Sequence, residues 1–246
     1  MISWYIPRSS SYAGDIDFMI DLVTVLVGFW FILSEGAFFY FLWKYRHRKG
    51  QTRAMYVTGE EHEYTRWIHW PHYAIIACDL VIIAAAVRVW YNVKQDLPPA
   101  DDTVRIIVQQ WAWTFVQSGA DGKLDTPDDI RTIDELHVEV GKTYHYELSS
   151  LDVLHDFSVP VFRLKQDALP GRVIKGWFQP TKTGVHDIQC AEICGIGHGI
   201  MNATIYIESE ADHDAWIGAH PVASTTVPST GGLASLAAPV FEPAGN

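Results

Sequence analysis

Four side chains that bind soft metals lie in one glycine-rich segment, residues 190–201. They are Cys190, Cys194, His198 and Met201, and a further imidazole, His155, lies upstream. Thiolate, thioether and imidazole donors favour copper over hard cations such as magnesium. A mononuclear blue-copper site uses one cysteine, two histidines and a weak axial methionine. The second cysteine exceeds that need, which indicates two metals bridged by two sulfurs.

Three simpler interpretations of the same residues are open. Cysteines four residues apart can form a disulfide in an oxidising compartment. Zinc is a second alternative, but zinc is usually held by four cysteines and histidines and does not favour a thioether. Met201 taken alone is more often a core residue than a ligand. Copper is favoured because all five donors occur together.

Two long apolar segments precede this part of the chain, Leu22 to Trp43 and Pro71 to Val93. About 20 helical residues cross the roughly 30 Å hydrocarbon layer of a membrane. The first segment is too long for a signal peptide and lacks a basic start and a cleavage site. We therefore expect an N-terminal tail (1–16) and a transmembrane hairpin (17–96), with spans at about 22–43 and 71–93.

The distribution of basic residues predicts the orientation of this hairpin. The connector, residues 44–70, holds six of them: Lys44, Arg46, Arg48, Lys49, Arg53 and Arg66. The N-terminal tail holds only Arg8. The positive-inside rule places the connector in the cytoplasm. The C-terminal domain is then periplasmic or extracellular, at a bacterial inner (plasma) membrane.

Two acidic residues, Glu35 and Asp79, fall inside the predicted spans. Charge is costly there and usually faces protein or water rather than lipid. Each is interpreted either as a hydrogen-bonding group towards a partner helix, which we favour, or as a proton-path residue. Cys78 stands alone in an apolar run and is interpreted as a packing residue.

From Thr103 onward the pattern changes to short strands, as in 104–115, 136–140, 144–148 and 203–207. The glycines at 141 and 184 predict hairpin turns. Short strands separated by turns indicate an all-β sandwich or barrel, here over residues 97–218. Residues 219–246 are rich in proline, alanine, serine, threonine and glycine, which predicts a disordered tail.

Charge is unevenly placed along the chain. Residues 1–96 hold nine acidic and nine basic side chains, whereas residues 97–246 hold twenty acidic and nine basic, and so carry the whole net charge of −11. An acidic domain argues against nucleic acid and favours a cationic partner. The segment Asp121–Asp129 is either a calcium site or a solvated turn, and the turn is favoured because it lacks the EF-hand spacing.

Three segments, 152–160, 162–172 and 190–201, together resemble subunit II of the heme–copper cytochrome c oxidases, with the likeness extending over about 17–217. The resemblance implies a two-helix transmembrane hairpin followed by an all-β cupredoxin-like Greek-key barrel with a binuclear copper centre, CuA. It implies the following roles. Cys190 and Cys194 are bridging thiolates, His155 and His198 are terminal imidazoles, Met201 is a weak axial ligand, and Glu192 supplies a backbone carbonyl.

The resemblance implies roles for further residues. Glu192 reaches, through its side chain, a magnesium site shared with subunit I. Trp111 matches the exposed tryptophan at which electrons arrive, and His198 lies on the side towards subunit I. Glu63 is the nearest counterpart of a glutamate beside a proton route into subunit I, although its spacing departs by one residue.

The implied function is that of the electron-accepting subunit of a terminal respiratory oxidase. It takes electrons from cytochrome c at CuA and passes them to heme in subunit I, where oxygen is reduced to water and protons are pumped; subunit III is a further partner. The chain has no Cys-X-X-Cys-His motif, so no heme is expected in it. The alternatives are the CuA subunit of a nitric oxide reductase-type complex and a non-redox structural subunit, which the complete set of donors disfavours.

Overall fold

The computed structural model describes residues 2–50 and 56–220. Two long helices come first, α1 (Ala13–Lys44) and α2 (His62–Trp90), and α2 continues into a π-helical turn (Tyr91–Gln95). Both are long and apolar enough to cross a membrane. They extend beyond the predicted spans, because a 32-residue helix is about 48 Å long at about 1.5 Å per residue. Part of each helix is therefore left to project from the hydrocarbon layer.

The two helices form an antiparallel hairpin. The Trp30 indole lies 3.5 Å from the Cys78 sulfur on α2, so the lone cysteine packs between the helices as predicted. Most other side chains on both helices are exposed in the isolated chain. Exposed apolar surface of this extent requires lipid or a partner protein to cover it.

Ten strands follow in two five-stranded sheets. They are β1 (Asp102–Gln109), β2 (Ala112–Gln117), β3 (Ile130–Ile133), β4 (Glu135–Glu139), β5 (Tyr144–Ser150), β6 (His155–Val159), β7 (Leu164–Ala168), β8 (Ile174–Phe178), β9 (Gly184–Cys190) and β10 (Ala203–Glu208). The sheet orders are β3-β2-β1-β5-β8 and β4-β10-β9-β6-β7. A short helix, α3 (Glu210–Gly218), follows β10.

The core lies between the two sheets. Side chains alternate between buried and partly exposed along β1, β5 and β10, as expected when one face of each strand packs inward. Trp113 and Phe115 from the first sheet meet Phe157 from the second, at ring-centroid distances of 5.5 and 6.4 Å. This is the predicted cupredoxin-like all-β domain, and that prediction is confirmed.

Two details of the predicted strands are wrong. The run 104–115 is not one strand, because the chain turns at Gln110–Trp111 and returns as β2 to pair with β1. The turns at Gly141 and Gly184 are not hairpins, since each joins strands of different sheets. A glycine with positive φ, such as Gly141 at 89°, allows the chain to reverse but does not determine which strand becomes its neighbour.

The segment before α1 is fastened to the β-domain. Ser9 exchanges backbone hydrogen bonds with Val161 and Thr181, both 2.9 Å long. Asp17, in the first turns of α1, is fully buried and forms ion pairs with Arg163 (2.7 Å) and Arg8 (2.5 Å). The start of α1 and the β-domain therefore lie on the same side of the helix hairpin.

The segment Asp121–Asp129 folds as a loop whose carboxylates form hydrogen bonds and an ion pair with other groups of the chain. Asp125 pairs with Arg105 at 2.7 Å, Asp128 accepts from the Asp121 amide and Asp129 from the Asp125 amide. The loop is therefore a turn held by its own carboxylates, and whether it also binds calcium stays open between the two interpretations. Residues 221–246, most of the predicted tail, and Arg53 lie outside the described residues.

Candidate metal centre

Two neighbouring strands bring the distant donors together. His155 is the first residue of β6 and Cys190 is the last of β9, and these strands pair antiparallel with Phe157 opposite Cys190. The loop after β9 then returns through a 3₁₀ turn at 198–200 into β10. His155 and the loop therefore meet at one end of the second sheet.

All five predicted side-chain donors converge there. The sulfurs of Cys190 and Cys194 are 3.8 Å apart. Nδ1 of His155 lies 3.9 Å from the Cys190 sulfur, and Nδ1 of His198 lies 3.6 Å from the Cys194 sulfur. The Met201 sulfur is 3.2 Å from that of Cys194. Each thiol thus has its own imidazole, and one has the thioether.

The carbonyl of Glu192 is the sixth group at this centre. Its oxygen lies 3.2 Å from the Cys190 sulfur, so it stands beside one thiol while the Met201 thioether stands beside the other. The resemblance implies that this oxygen is a ligand, and that role stays a prediction. The Glu192 side chain is half-buried, and its part in a magnesium site stays a prediction.

The site fits a thiophilic metal. Both cysteines are free, and the donor atoms of His155, Cys190 and Cys194 lie within 4.8 Å of one another. Burial, together with the neighbouring Cys190, raises the pKa of the Cys194 thiol to about 11. Because metals bind thiolates, loading the site would release a proton from this thiol.

Asp152 orients the His155 ring. Burial acts to raise the pKa of Asp152, but hydrogen bonds from the Gln110 amide, His155 and the Val153 amide outweigh it and lower the pKa below its ordinary value. The carboxylate is then only an acceptor, so Nε2 of the fully buried His155, 3.0 Å away, must carry the proton. In the neutral ring this leaves the lone pair on Nδ1, which faces the Cys190 sulfur, and carboxylates commonly fix metal-binding histidines in this way.

Trp113 contacts two of the donor residues. It is fully buried, its indole N–H donates to the Met201 carbonyl at 3.0 Å, and its ring lies 6.4 Å from that of His155. Its complete burial makes it part of the core between the two sheets. The contact with the Met201 backbone was not foreseen, because it joins residues far apart in the chain.

Trp111 lies on the metal loop itself. A Cβ atom built on Gly197 would meet its indole at 2.4 Å, and one on Gly195 would meet it at 3.2 Å. The ring therefore rests on the backbone between Cys194 and His198 and remains 38% exposed. The exposure agrees with the exposed tryptophan that the resemblance implies, whereas the contact with the loop was not predicted and the role in electron entry stays a prediction.

Gln110 was missed by the sequence reasoning. Its side-chain amide donates to the Cys194 carbonyl at 2.7 Å, and its backbone N–H donates to Asp152 at 2.7 Å. Asp152 thereby connects the turn that carries Trp111 to the ring of His155. An acidic residue three positions before a predicted ligand is the signal that could have pointed to this link.

Three acidic residues of the helical region, for each of which a proton-path role is one interpretation, lie elsewhere. Glu35 is on α1, and Glu63 and Asp79 are on α2, whereas the donors above belong to the β-domain. Glu35 is half-buried, while Glu63 and Asp79 are exposed in the isolated chain. Their roles stay predictions.

Comparison with known proteins gives the following likenesses. Residues 102–209 match the family described as "Cytochrome C oxidase subunit II, periplasmic domain". An alternative cytochrome c oxidase subunit 2 of Bradyrhizobium diazoefficiens is 32% identical over 238 residues, which are 87% of this chain and 83% of that protein. A cytochrome c oxidase subunit 2 of Cereibacter sphaeroides is 26% identical over 242 residues, 86% of this chain and 78% of that protein. A crystal structure of the periplasmic domain of a Bradyrhizobium japonicum cytochrome oxidase subunit II is 29% identical in sequence, with a TM-score of 0.43. The alignment covers 51% of this chain and 96% of the chain in that crystal structure.

Proposed function

This chain belongs to the cytochrome c oxidase subunit II family, and we propose that it is the subunit through which electrons enter a terminal oxidase. Its relatives are subunits of an oxidoreductase complex. In the proposal, the chain accepts electrons from cytochrome c at a binuclear CuA centre. Subunit I then receives them, reduces oxygen to water and pumps protons, and subunit III completes the complex.

The single observation that carries the proposal is the pair of sulfurs 3.8 Å apart, each with an imidazole beside it. When bound, a copper pair would supply a centre that takes up and releases one electron at a time. Cys190, Cys194, His155, His198, Met201 and the Glu192 carbonyl would hold it. Six donors leave no position for a substrate, which favours electron transfer over chemistry at the metal.

The surrounding residues keep this arrangement fixed. Asp152 holds the ring of His155, Trp113 holds the backbone at Met201, and Gln110 holds the backbone at Cys194. His155, Cys194 and Met201 are buried, whereas Cys190 is partly exposed. A donor set whose positions are fixed in this way lowers the reorganisation that accompanies electron transfer.

The membrane placement is part of the same proposal. We propose that α1 and α2 anchor the chain in the bacterial inner membrane, with the β-domain on the periplasmic side. The fastening of residues 9 and 10 to the β-domain supports a two-pass hairpin whose ends lie on one side. Glu192 is proposed to reach a magnesium ion at the contact with subunit I.

Metal analysis tests the proposal directly. We expect two coppers and no zinc per chain in the purified protein. Its electron paramagnetic resonance spectrum should show hyperfine splitting by two copper nuclei, because two coppers held by both thiolates would share one unpaired electron. A four-line spectrum from a single copper, or stoichiometric zinc, would reject the binuclear centre.

Replacing Met201 by leucine should leave both coppers bound but shift the reduction potential. Leucine keeps an apolar side chain of similar size in this buried position, so the loop should fold with a cost below about 1.5 kcal/mol. The missing thioether is a tuning ligand. Potentiometry with copper analysis measures both effects, and loss of one copper would show that Met201 is required for binding.

Electron donation by a cationic cytochrome should slow as salt concentration rises. Residues 97–246 carry the whole net charge of −11, and such a surface steers positive partners towards it. Screening shortens the reach of these charges to about 8 Å at physiological ionic strength. Stopped-flow reduction at several salt concentrations measures the effect, with a small neutral reductant as control. A rate that does not respond to salt would contradict electrostatic steering.

A further inference from the structure

A cavity of about 380 Å³ lies where the helix hairpin meets the β-domain. It is bounded by the start of α1, the end of α2 and the start of β7. Eight of its lining residues are mainly apolar and three are basic: Tyr12, Ile16, Met19, Ala86, Val89, Trp90, Val93 and Leu164, with Lys94, Arg163 and Lys165. We call it the juxtamembrane cavity.

The walls of the juxtamembrane cavity are fixed to one another. The Trp177 indole donates to the Val93 carbonyl at 3.0 Å, which ties the end of α2 to β8. The Tyr12 ring packs edge-on against Trp177 at 5.1 Å, and Arg163 is ion-paired with Asp17 on α1. The contacts that join α1, α2 and the β-domain therefore fix the shape of the cavity.

The charged side chains at the edge of the juxtamembrane cavity are all basic, which contrasts with the acidic β-domain. None of the eleven described residues that line it is acidic, although the β-domain as a whole is strongly acidic. Lys94 is half-buried; its ammonium donates to the neutral Gln166 at 2.8 Å and also interacts electrostatically with Asp156. Lys165 is exposed; it acts electrostatically on Asp156, and Asp167 lies two residues further along β7. Arg163 and Arg8 share the single charge of Asp17.

An apolar cavity with a cationic edge at the end of membrane helices matches one kind of ligand. Acyl chains pack against apolar side chains, and the phosphate of a headgroup is attracted to lysines at the membrane surface. Trp90 and Tyr91, both exposed at the end of α2, are residues typical of the interfacial layer. A volume of about 380 Å³ is at the lower end for ligand sites, so it would hold only the part of a lipid nearest its headgroup.

We propose that the juxtamembrane cavity binds an anionic phospholipid, with the upper acyl chain between Tyr12, Val89 and Leu164 and the phosphate between Lys94 and Lys165. The inference rests on the proposed membrane placement of α1 and α2 and is independent of the copper centre. A lipid in this position would fill the space between the membrane anchor and the domain that carries the donors.

Lipid retention measures this binding. The full chain is placed in nanodiscs of equal parts phosphatidylglycerol and phosphatidylcholine, and the lipids that remain bound are identified by native mass spectrometry. We expect the wild type to retain phosphatidylglycerol in preference. Replacing both lysines, Lys94→Gln with Lys165→Gln, should reduce that preference roughly 25-fold, or about fivefold for each charge near the surface.

Two further variants complete the test. Lys123→Gln with Lys182→Gln removes the same charge from exposed positions elsewhere and should leave the preference unchanged. Ala86→Phe places a ring in the cavity and should displace both lipids. Equal retention of both lipids by the wild type, an unchanged preference in the Lys94 and Lys165 variant, or undiminished lipid in Ala86→Phe would each overturn the proposal.

The same measurement on the assembled oxidase distinguishes a lipid from a partner subunit. Loss of the bound lipid on assembly would show that a subunit covers the cavity and would overturn the proposal.

The copper spectrum is recorded on every sample. A missing binuclear signal with normal lipid retention would reject the proposed electron transfer alone, whereas a chain that does not enter nanodiscs would reject the membrane placement.

Discussion

Replacing either Cys190 or Cys194 by serine should abolish the binuclear centre and electron uptake from cytochrome c. The two sulfurs lie 3.8 Å apart, and each stands beside a different imidazole, so neither can substitute for the other. A hydroxyl is a hard donor that stays protonated at neutral pH, and it does not bridge soft copper. Removing an outer partner of a ligand already costs about 10–100-fold in metal affinity, so loss of a ligand should exceed that range.

The chain provides a matched control for this change. Cys78→Ser removes the third cysteine, which lies on α2 near Trp30 and far along the chain from the other donors. It should keep two coppers, the split spectrum and full turnover. Copper analysis and stopped-flow reduction are compared for all three variants. Wild-type oxidase turnover in Cys190→Ser or Cys194→Ser would reject the proposed mechanism.

Most of the side chains that converge at the centre could be predicted from their spacing in the sequence. Cys190, Cys194, His198 and Met201 lie in one short loop, so a single turn of chain can bring them together, whatever the rest of the fold does. His155 was harder, because its approach depends on the pairing of β6 with β9. The resemblance to a known family supplied that long-range information, which periodicity does not contain.

The contacts that orient the donors were not predictable in the same way. Gln110 donates to the Cys194 carbonyl and Trp113 to the Met201 carbonyl, and both bonds join residues more than eighty positions apart. The alternation of apolar residues over 104–115 correctly indicated strand, but it did not reveal the turn at Gln110–Trp111. A turn of two residues without glycine or proline leaves no signal in the sequence.

The bounds of the membrane helices also differ from those expected. Apolar composition marks the part of a helix that faces hydrocarbon, whereas α1 begins nine residues before Leu22, at Ala13. The additional turns are stabilised by a tertiary contact, the ion pairs of Asp17 with Arg163 and Arg8. A charged residue in a helix lowers its hydropathy, so a composition-based boundary excludes the turns that fasten the anchor to the β-domain.

Displacing the Trp111 ring should slow electron uptake by an order of magnitude or more, with a smaller effect on cytochrome c binding. Trp111→Ala removes the ring that rests on the metal loop, and with it the aromatic contact between a docked donor and the residues around Cys194 and His198. Stopped-flow reduction at saturating donor reports the transfer rate, and the concentration dependence reports the affinity. The spectrum of the copper centre shows whether the loop itself remains intact.

Gly197→Ala tests the same contact without deleting the ring. Its φ of −88° suits alanine, but the new Cβ would lie 2.4 Å from the indole of Trp111, so the ring must move. Gly199→Ala is the matched control, since nothing lies within 4 Å of its Cβ. We expect Gly197→Ala to slow uptake as Trp111→Ala does, and Gly199→Ala to leave it unchanged. If both Trp111→Ala and Gly197→Ala were reduced at the wild-type rate with the copper spectrum intact, electrons would enter at another surface and Trp111 would serve only to pack the loop.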